Sequence, residues 1–153
     1  MCIRDRESNI VNHAQLDNGP LWQAFELDSA ETVLALDSSK VRWSDFGAVG
    51  FIGFCGAHTE TATSGQTTDQ PDYEVRMLAP SSGMSEDPIT GSLNAALAKW
   101  LSKQGRLEKD LLISQGTVIG RCGRVFISKK NGSKEDILIG GHTHILIRGE
   151  VLI

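Results

Sequence analysis

Positive charge is in short supply in this chain. Fifteen Lys and Arg stand against nineteen Asp and Glu, a formal net charge of -4. A surface of that sign disfavours nucleic acid or an anionic membrane as the main partner. Cysteine is scarce too. Cys2, Cys55 and Cys122 are odd in number and show no CxxC spacing. That fits reduced thiols in a cytoplasmic protein better than a disulfide framework. No apolar run approaches the roughly 20 residues that a membrane-spanning helix needs. The opening MCIRDRES lacks the apolar stretch of a signal peptide and reads as adapter sequence, so residues 1–8 are taken as a non-native start. No internal repeat is visible. What remains is 153 residues, 40% apolar and 22% charged, the size and composition of one globular domain with a real core.

Apolar patterning divides the chain into short strands and two helices. GPLWQAFEL (19–27) opens on a Gly-Pro turn and continues as a mostly buried strand. DSAETVLALD (28–37) predicts a short helix, with Asp28 and Glu31 at the spacing of a capping box. GAVGFIGFC (47–55) is a buried strand. HTETATSGQTTDQPD (58–72) is polar and unpatterned, a loop. YEVRMLAP (73–80) alternates Tyr73, Val75 and Met77 with Glu74 and Arg76, which predicts a strand with one wet face. Strands are also predicted at 110–116, 118–130, 135–141 and 143–153. Turns fall at Gly116, Asn131-Gly132 and Gly140-Gly141, and Asn131-Gly132 is a strong hairpin signal.

One helix dominates. Leu93, Ala96, Leu97, Trp100 and Leu101 fall at i, i+3, i+4, i+7 and i+8, a single apolar stripe. Lys99 and Lys103 suit its C-terminal end, and Gly105 suits the position just past it. The expected fold is therefore α+β, a curled and mostly antiparallel sheet wrapped around one central apolar helix.

The entrance to that helix is chemically crowded: Glu86-Asp87-Pro88-Ile89-Thr90-Gly91-Ser92. A helix N-terminus presents unpaired N–H groups and partial positive charge. Gly91 lets a ligand approach the backbone, and Ser92 adds a hydroxyl, so the two form a candidate site for a carboxylate or another anion. Asp87 lies across the turn, where it can face the same molecule as an acceptor or a general acid/base. The plainer alternative is that Asp87 or Thr90 caps the helix while Pro88 stiffens the turn.

RMLAPSSGMSEDPITGSLNAALAKWL (76–101) resembles the signature of the PhzF family of phenazine-biosynthesis-like isomerases. That pattern runs Arg-x-Phe-x-Pro, two residues, Gly-Ile-x-Glu-Asp-Pro-x-Thr-Gly-Ser-Ala. Arg76, Pro80, Gly83, Glu86, Asp87, Pro88, Thr90, Gly91 and Ser92 match it in register, while Leu78, Met84 and Leu93 depart from it conservatively. Leu16-Asp17-Asn18-Gly19-Pro20, Gln115-Gly116 with Gly120-Arg121, and ILIGGHTHILIRGEVLI follow the family order. The resemblance covers residues 9 to 153.

The resemblance implies a diaminopimelate-epimerase-like fold of two similar lobes, each a sheet around a central helix, with the active site between them. Residues 9–153 would be the C-terminal lobe. The N-terminal lobe, with its Glu acid/base and Gly-His-x-Thr motif, has no counterpart in this chain. The implied activity is a proton shift on a small carboxylate-bearing metabolite, with neither metal nor organic cofactor. Gly91 and Ser92 would bind substrate and Asp87 would take part in the chemistry. Cysteine-dependent epimerases place a Cys near this turn, where Asp87 stands here, so a two-thiol racemase fits less well. The rivals are an amino-acid epimerase on the same fold and a non-catalytic lobe that binds a small acid. A Glu, a Cys or neither in the first lobe would discriminate among the three. The expected partners are the missing lobe and the substrate, with a homodimer as a further assembly. His142 in GGHTH lies between two strands with no helix after it and reads as an ordinary turn histidine. His58 and Glu60 read as loop residues, Arg121 as a surface or ion-pair residue, and Trp100 as core.

Overall fold

The computed structural model describes residues 9–40, 47–56, 70–79, 83–130 and 136–152. Eight strands and two α-helices follow one another as β1 (Ile10–Asp17), β2 (Leu21–Leu27), α1 (Ala30–Leu34), β3 (Val49–Phe54), β4 (Tyr73–Ala79), β5 (Met84–Asp87), α2 (Gly91–Lys103), β6 (Leu111–Gln115), β7 (Gly123–Lys129) and β8 (Ile137–Gly140). Among the described residues no helix is long and apolar enough to cross a membrane.

The strands form one sheet in the order β1-β2-β3-β4-β6-β7-β8, with β5 attached to β4. Five of its seven pairings are antiparallel, and β2–β3 and β4–β6 are parallel. The sheet curls around α2, which touches the strands at both ends, β1 and β8, as well as β2 and β7. Leu93, Ala96, Leu97 and Leu101 are buried, and Trp100 is only half-buried at the edge of that core. The buried face is wider than the stripe, because Asn94 and Ala98 are enclosed as well. After the C-cap at Gln104, Gly105 turns the chain at φ +75°, and the Arg106 N–H donates back to Leu101 O at 2.9 Å. Arg106 then clamps the end of α2 to the sheet, with a bidentate pair to Glu26 (2.6 and 2.9 Å) and a bond to the Tyr73 hydroxyl.

The second face of the sheet is covered too, which corrects the expected wet face on β4. All seven β4 residues are buried. Tyr73, Val75, Met77 and Ala79 point to α2, whereas Leu78 belongs to a second cluster with Val33, Val49 and Phe51 beneath α1. Arg76, 1% exposed, shares that side. It donates to Glu86 Oε1 and Oε2 (3.1 and 2.7 Å) and to Val33 O and Leu36 O at the end of α1 (3.2 and 2.7 Å). A charged residue can face inward here because a carboxylate and two helix-end carbonyls accept four of its five N–H donors and balance its charge.

Three further expectations are revised. The cap of α1 is Ser29, whose Oγ accepts from Thr32 N at 3.2 Å, and Asp28 instead accepts from Asn9 Nδ2. The strand expected from 118 begins at Gly123, because Thr117–Ile119 forms a 3-10 turn. Residues 141–152 carry no regular structure despite strand-like patterning, since no neighbouring strand among the described residues completes their hydrogen bonds. Asn131-Gly132 lies outside the described residues, as do His58, Glu60 and most of the 58–72 loop.

Candidate functional site

The sheet branches at β4. Its first half pairs with β6, ending at Val75↔Gln115, and its second half pairs with β5 at Met77↔Asp87. Gln115 and Asp87 therefore flank one gap in the sheet, and α2 starts there. Met77 faces α2, so its cross-strand partner Asp87 faces that side too, while Glu86, next to it, points the other way to Arg76.

The turn between β5 and α2 is held from within and from below. The Thr90 hydroxyl donates to Asp87 Oδ2 at 2.7 Å, and the Ile89 N–H donates to Asp87 Oδ1 at 3.3 Å. Gln115, fully buried, donates through Nε2 to Asp87 O (3.0 Å) and Thr90 Oγ1 (2.9 Å). Its Oε1 accepts from Thr90 N (3.2 Å) and Asn94 Nδ2 (2.8 Å). Asn94, also fully buried, donates to Thr90 O at 2.8 Å, and its Oδ1 has no partner among the described residues. Gly116 and Gly123 form the floor. A Cβ added to either would lie 2.7 or 2.9 Å from Pro88 O, so the close approach requires glycine.

This geometry answers the capping question. Thr90 occupies the N-cap position, but its side chain makes no cap bond: its oxygen is held between Gln115 Nε2, from which it accepts, and Asp87 Oδ2, to which it donates. Asp87 is engaged by Ile89 N–H and does not cap either. Among the described residues the N–H groups of Gly91, Ser92 and Leu93 meet no acceptor. A helix of thirteen residues thus opens with its donors free. Gly91 is exposed with nothing within 4 Å of an added Cβ. Ser92 is half-buried, and its carbonyl accepts from Asn18 Nδ2 at 3.3 Å, which ties the β1–β2 hairpin to the site. Lys99 holds Asn18 from the other side at 3.2 Å.

Asp87, Gly91 and Ser92 come together as the sequence placed them. The remaining candidates lie elsewhere. Arg121 is exposed. His142 is exposed and sits edge-on to Phe126, with ring centroids 5.2 Å apart. Cys55 and Cys122 are free thiols outside the turn. Burial, reinforced by Glu74, Glu31 and Asp72, pushes the Cys55 thiol up to about 11, which keeps it protonated and unreactive at neutral pH. Among the described residues no three His, Cys, Asp or Glu side chains are grouped to hold a metal ion. Gln115 and Asn94 were not singled out as site residues from sequence. Gln115 was visible in the Gln-Gly motif, and Asn94 as a polar residue beside the apolar stripe, four positions after Thr90.

Comparison with known proteins agrees with this architecture. The sequence profile described as "Phenazine biosynthesis-like protein" (PhzC-PhzF) matches residues 7–149. Proteins named "Uncharacterized isomerase YddE" are 33% identical in Salmonella typhimurium and 32% in Escherichia coli K12, each over 86 residues. Those matches take in 52% of this chain and 29% of each relative, so the chain accounts for well under two thirds of their length. A PhzF-family structure from Enterococcus faecalis superposes with a TM-score of 0.59 at 24% identity, over 94% of this chain and 48% of that one. A putative PhzC/PhzF protein from Clostridium difficile gives 0.54 at 17% identity, over 97% and 60%. At these identities the two structures establish a shared fold.

Proposed function

The chain belongs to the phenazine biosynthesis-like (PhzC-PhzF) protein family, and from that premise we propose that it forms one wall of a cofactor-independent isomerase, acting in the cytoplasm on a small carboxylate-bearing metabolite. The observation that carries the reading is the uncapped start of α2 beside a fixed Asp87. The N–H groups of Gly91 and Ser92, with the Ser92 hydroxyl, bind the substrate carboxylate, aided by the helix dipole. Asp87 turns toward the reacting carbon, where it orients the substrate or carries the proton. The second wall, with the principal acid/base, belongs to an N-terminal lobe. That division is supported by the share of the relatives this chain spans and by an exposed apolar segment. Ile145, Leu146, Ile147, Val151 and Leu152 are 73–100% exposed, far beyond what scattered surface apolar residues show.

The test uses the protein carrying both lobes, with solvent-deuterium uptake by a panel of small carboxylic acids as the readout. Ser92→Ala removes one donor and should weaken binding by about 0.5–1.5 kcal/mol with the fold intact. Asp87→Asn should lower turnover at least about tenfold with little change in Tm. Normal rates in Asp87→Asn together with normal affinity in Ser92→Ala would sink the assignment.

A further inference from the structure

We infer that Gln115 is a positioning residue that dictates which way the Thr90 hydroxyl proton points, and so fixes the Asp87 carboxylate in the site. The inference rests on the reading of Asp87 as a reacting group, and it assigns a role to a side chain that touches no substrate.

Two main-chain groups set the orientation of the Gln115 amide. Thr90 N–H can only donate, so the atom 3.2 Å away must be the oxygen, Oε1. Asp87 O can only accept, so the atom 3.0 Å away must be the nitrogen, Nε2. The amide cannot be flipped without breaking both bonds. Nε2 then has one proton left for Thr90 Oγ1 at 2.9 Å. With an incoming proton on Oγ1, the Thr90 hydroxyl must send its own elsewhere, and the acceptor within reach is Asp87 Oδ2 at 2.7 Å. The chain Gln115→Thr90→Asp87 therefore has a single direction. Such aligned bonds strengthen one another in a buried setting, and Gln115 is 0% exposed and Thr90 7%. Asn94 locks the far end by donating to Gln115 Oε1 and Thr90 O together. The consequence reaches the helix as well: with Thr90 Oγ1 held between Gln115 Nε2 and Asp87 Oδ2, the Thr90 side chain makes no cap bond to the first N–H groups of α2. One glutamine thereby prepares both halves of the wall.

Three substitutions separate this relay from simple packing. Thr90→Ser keeps the hydroxyl, and Thr90→Val removes it at nearly equal volume. Gln115→Glu keeps size and the acceptor but replaces the donor, so the Thr90 hydroxyl turns to the new carboxylate and leaves Asp87. In this chain, Hα–Hβ coupling constants of Asp87 report its side-chain rotamer by NMR. One rotamer is expected in the parent and in Thr90→Ser, and averaging in Thr90→Val and Gln115→Glu. In the two-lobe protein, kcat for deuterium uptake should fall about tenfold in Thr90→Val with KM within about twofold, and Thr90→Ser should restore it. A single Asp87 rotamer in folded Thr90→Val overturns the inference, as does averaging without loss of kcat. If the parent two-lobe protein moves no proton on any acid of the panel, the functional reading fails, while the couplings still decide the relay.

Discussion

Arg76 and Glu86 form the most enclosed ion pair among the described residues, with side chains 2% and 4% exposed. Their disruption gives a sharp stability test. Arg76→Met deletes four hydrogen bonds and leaves the Glu86 carboxylate buried without a cation. A stranded buried charge costs about 3–5 kcal/mol. Leu36 O also loses a donor, adding roughly 1–2 kcal/mol where water cannot reach, whereas Val33 O still accepts from Leu36 N. Against a total of about 5–15 kcal/mol for a domain, one substitution removes roughly a quarter or more of the stability. Glu86→Gln should cost slightly less: it too strands a buried charge, that of Arg76, but it keeps the shape and one acceptor oxygen. The combination Arg76→Met with Glu86→Leu strands no charge, so it should recover about 2 kcal/mol relative to Arg76→Met alone. Urea unfolding followed by far-UV circular dichroism measures all four proteins. Losses below about 1 kcal/mol in both single variants would refute the reasoning, because they would mean that water reaches the pair. β5 is only four residues long and meets β4 at Met77↔Asp87 and Ala79↔Met84, so the Arg76–Glu86 pair is a strong side-chain anchor for it next to Asp87.

Leu97→Ala, at a site 1% exposed, should cost about 2.5–4 kcal/mol, and Trp100→Ala less, roughly 1–2 kcal/mol, because Trp100 is half-buried; thermal unfolding that reverses this order would contradict the placement of α2. At pH 8 a thiol-alkylating reagent should modify exposed Cys122 well before Cys55, whose ionisation is pushed up to about 11, and peptide mass mapping that finds Cys55 labelled first would show that its environment is open. The Cys55 shift also has a sign for stability: the unfolded thiol ionises near its ordinary 9.0 and the folded one near 11, so its contribution is intact below about pH 9 and is lost as pH rises toward 11. The chain alone should self-associate through its apolar C-terminal segment, and deleting 143–153 should make it monodisperse in sedimentation velocity with Tm nearly unchanged; association that persists would point to another surface.

What sequence could convey about the fold divides along the range of the forces involved. The stripe on α2 and its Gly105 stop are local signals, and both appear where expected. β1 was not assigned because an edge strand facing water on much of its length mixes Val11, Asn12, His13 and Gln15 without clean alternation. β5 was not assigned because Met84–Asp87 reads as a polar turn, and becomes a strand only through its partner on β4. β4 was assigned with a wet face because a Glu and an Arg in alternation ordinarily face solvent. Only the position of α1, more than 30 residues upstream, shows that this face is closed. The segment 143–153 errs in the opposite sense: its patterning is that of a strand, but a strand exists only with a neighbour.

The same division runs through the site. Asp87, Gly91 and Ser92 are close in sequence, so turn and helix-end chemistry was enough to bring them together. Gln115 and Asn94 reach Thr90 by different routes. Asn94 is one helical turn away, and its use as a donor to Thr90 O is a local event hidden by the apolar stripe around it. Gln115 is 25 residues away and arrives only because β6 enters parallel to the first half of β4 while β5 takes the second half. That branching has no signature in composition or periodicity. It also explains why an acidic turn sits at a helix entrance without capping it. An isolated Asp-Pro-x-Thr turn before a helix would use Thr90 as the cap, the cheapest way to satisfy a free N–H. Here the buried amide of Gln115 donates to Thr90 Oγ1 while Asp87 accepts its proton, and the two together hold the oxygen where it takes no helix N–H. The cap is given up, worth about 1 kcal/mol in ordinary helices, and the first N–H groups of α2 have no side-chain cap where the helix starts at exposed Gly91. A fold that carries this local cost while fixing Asp87, Thr90 and Gln115 so closely is what the proposed anion-binding role of Gly91 and Ser92 requires.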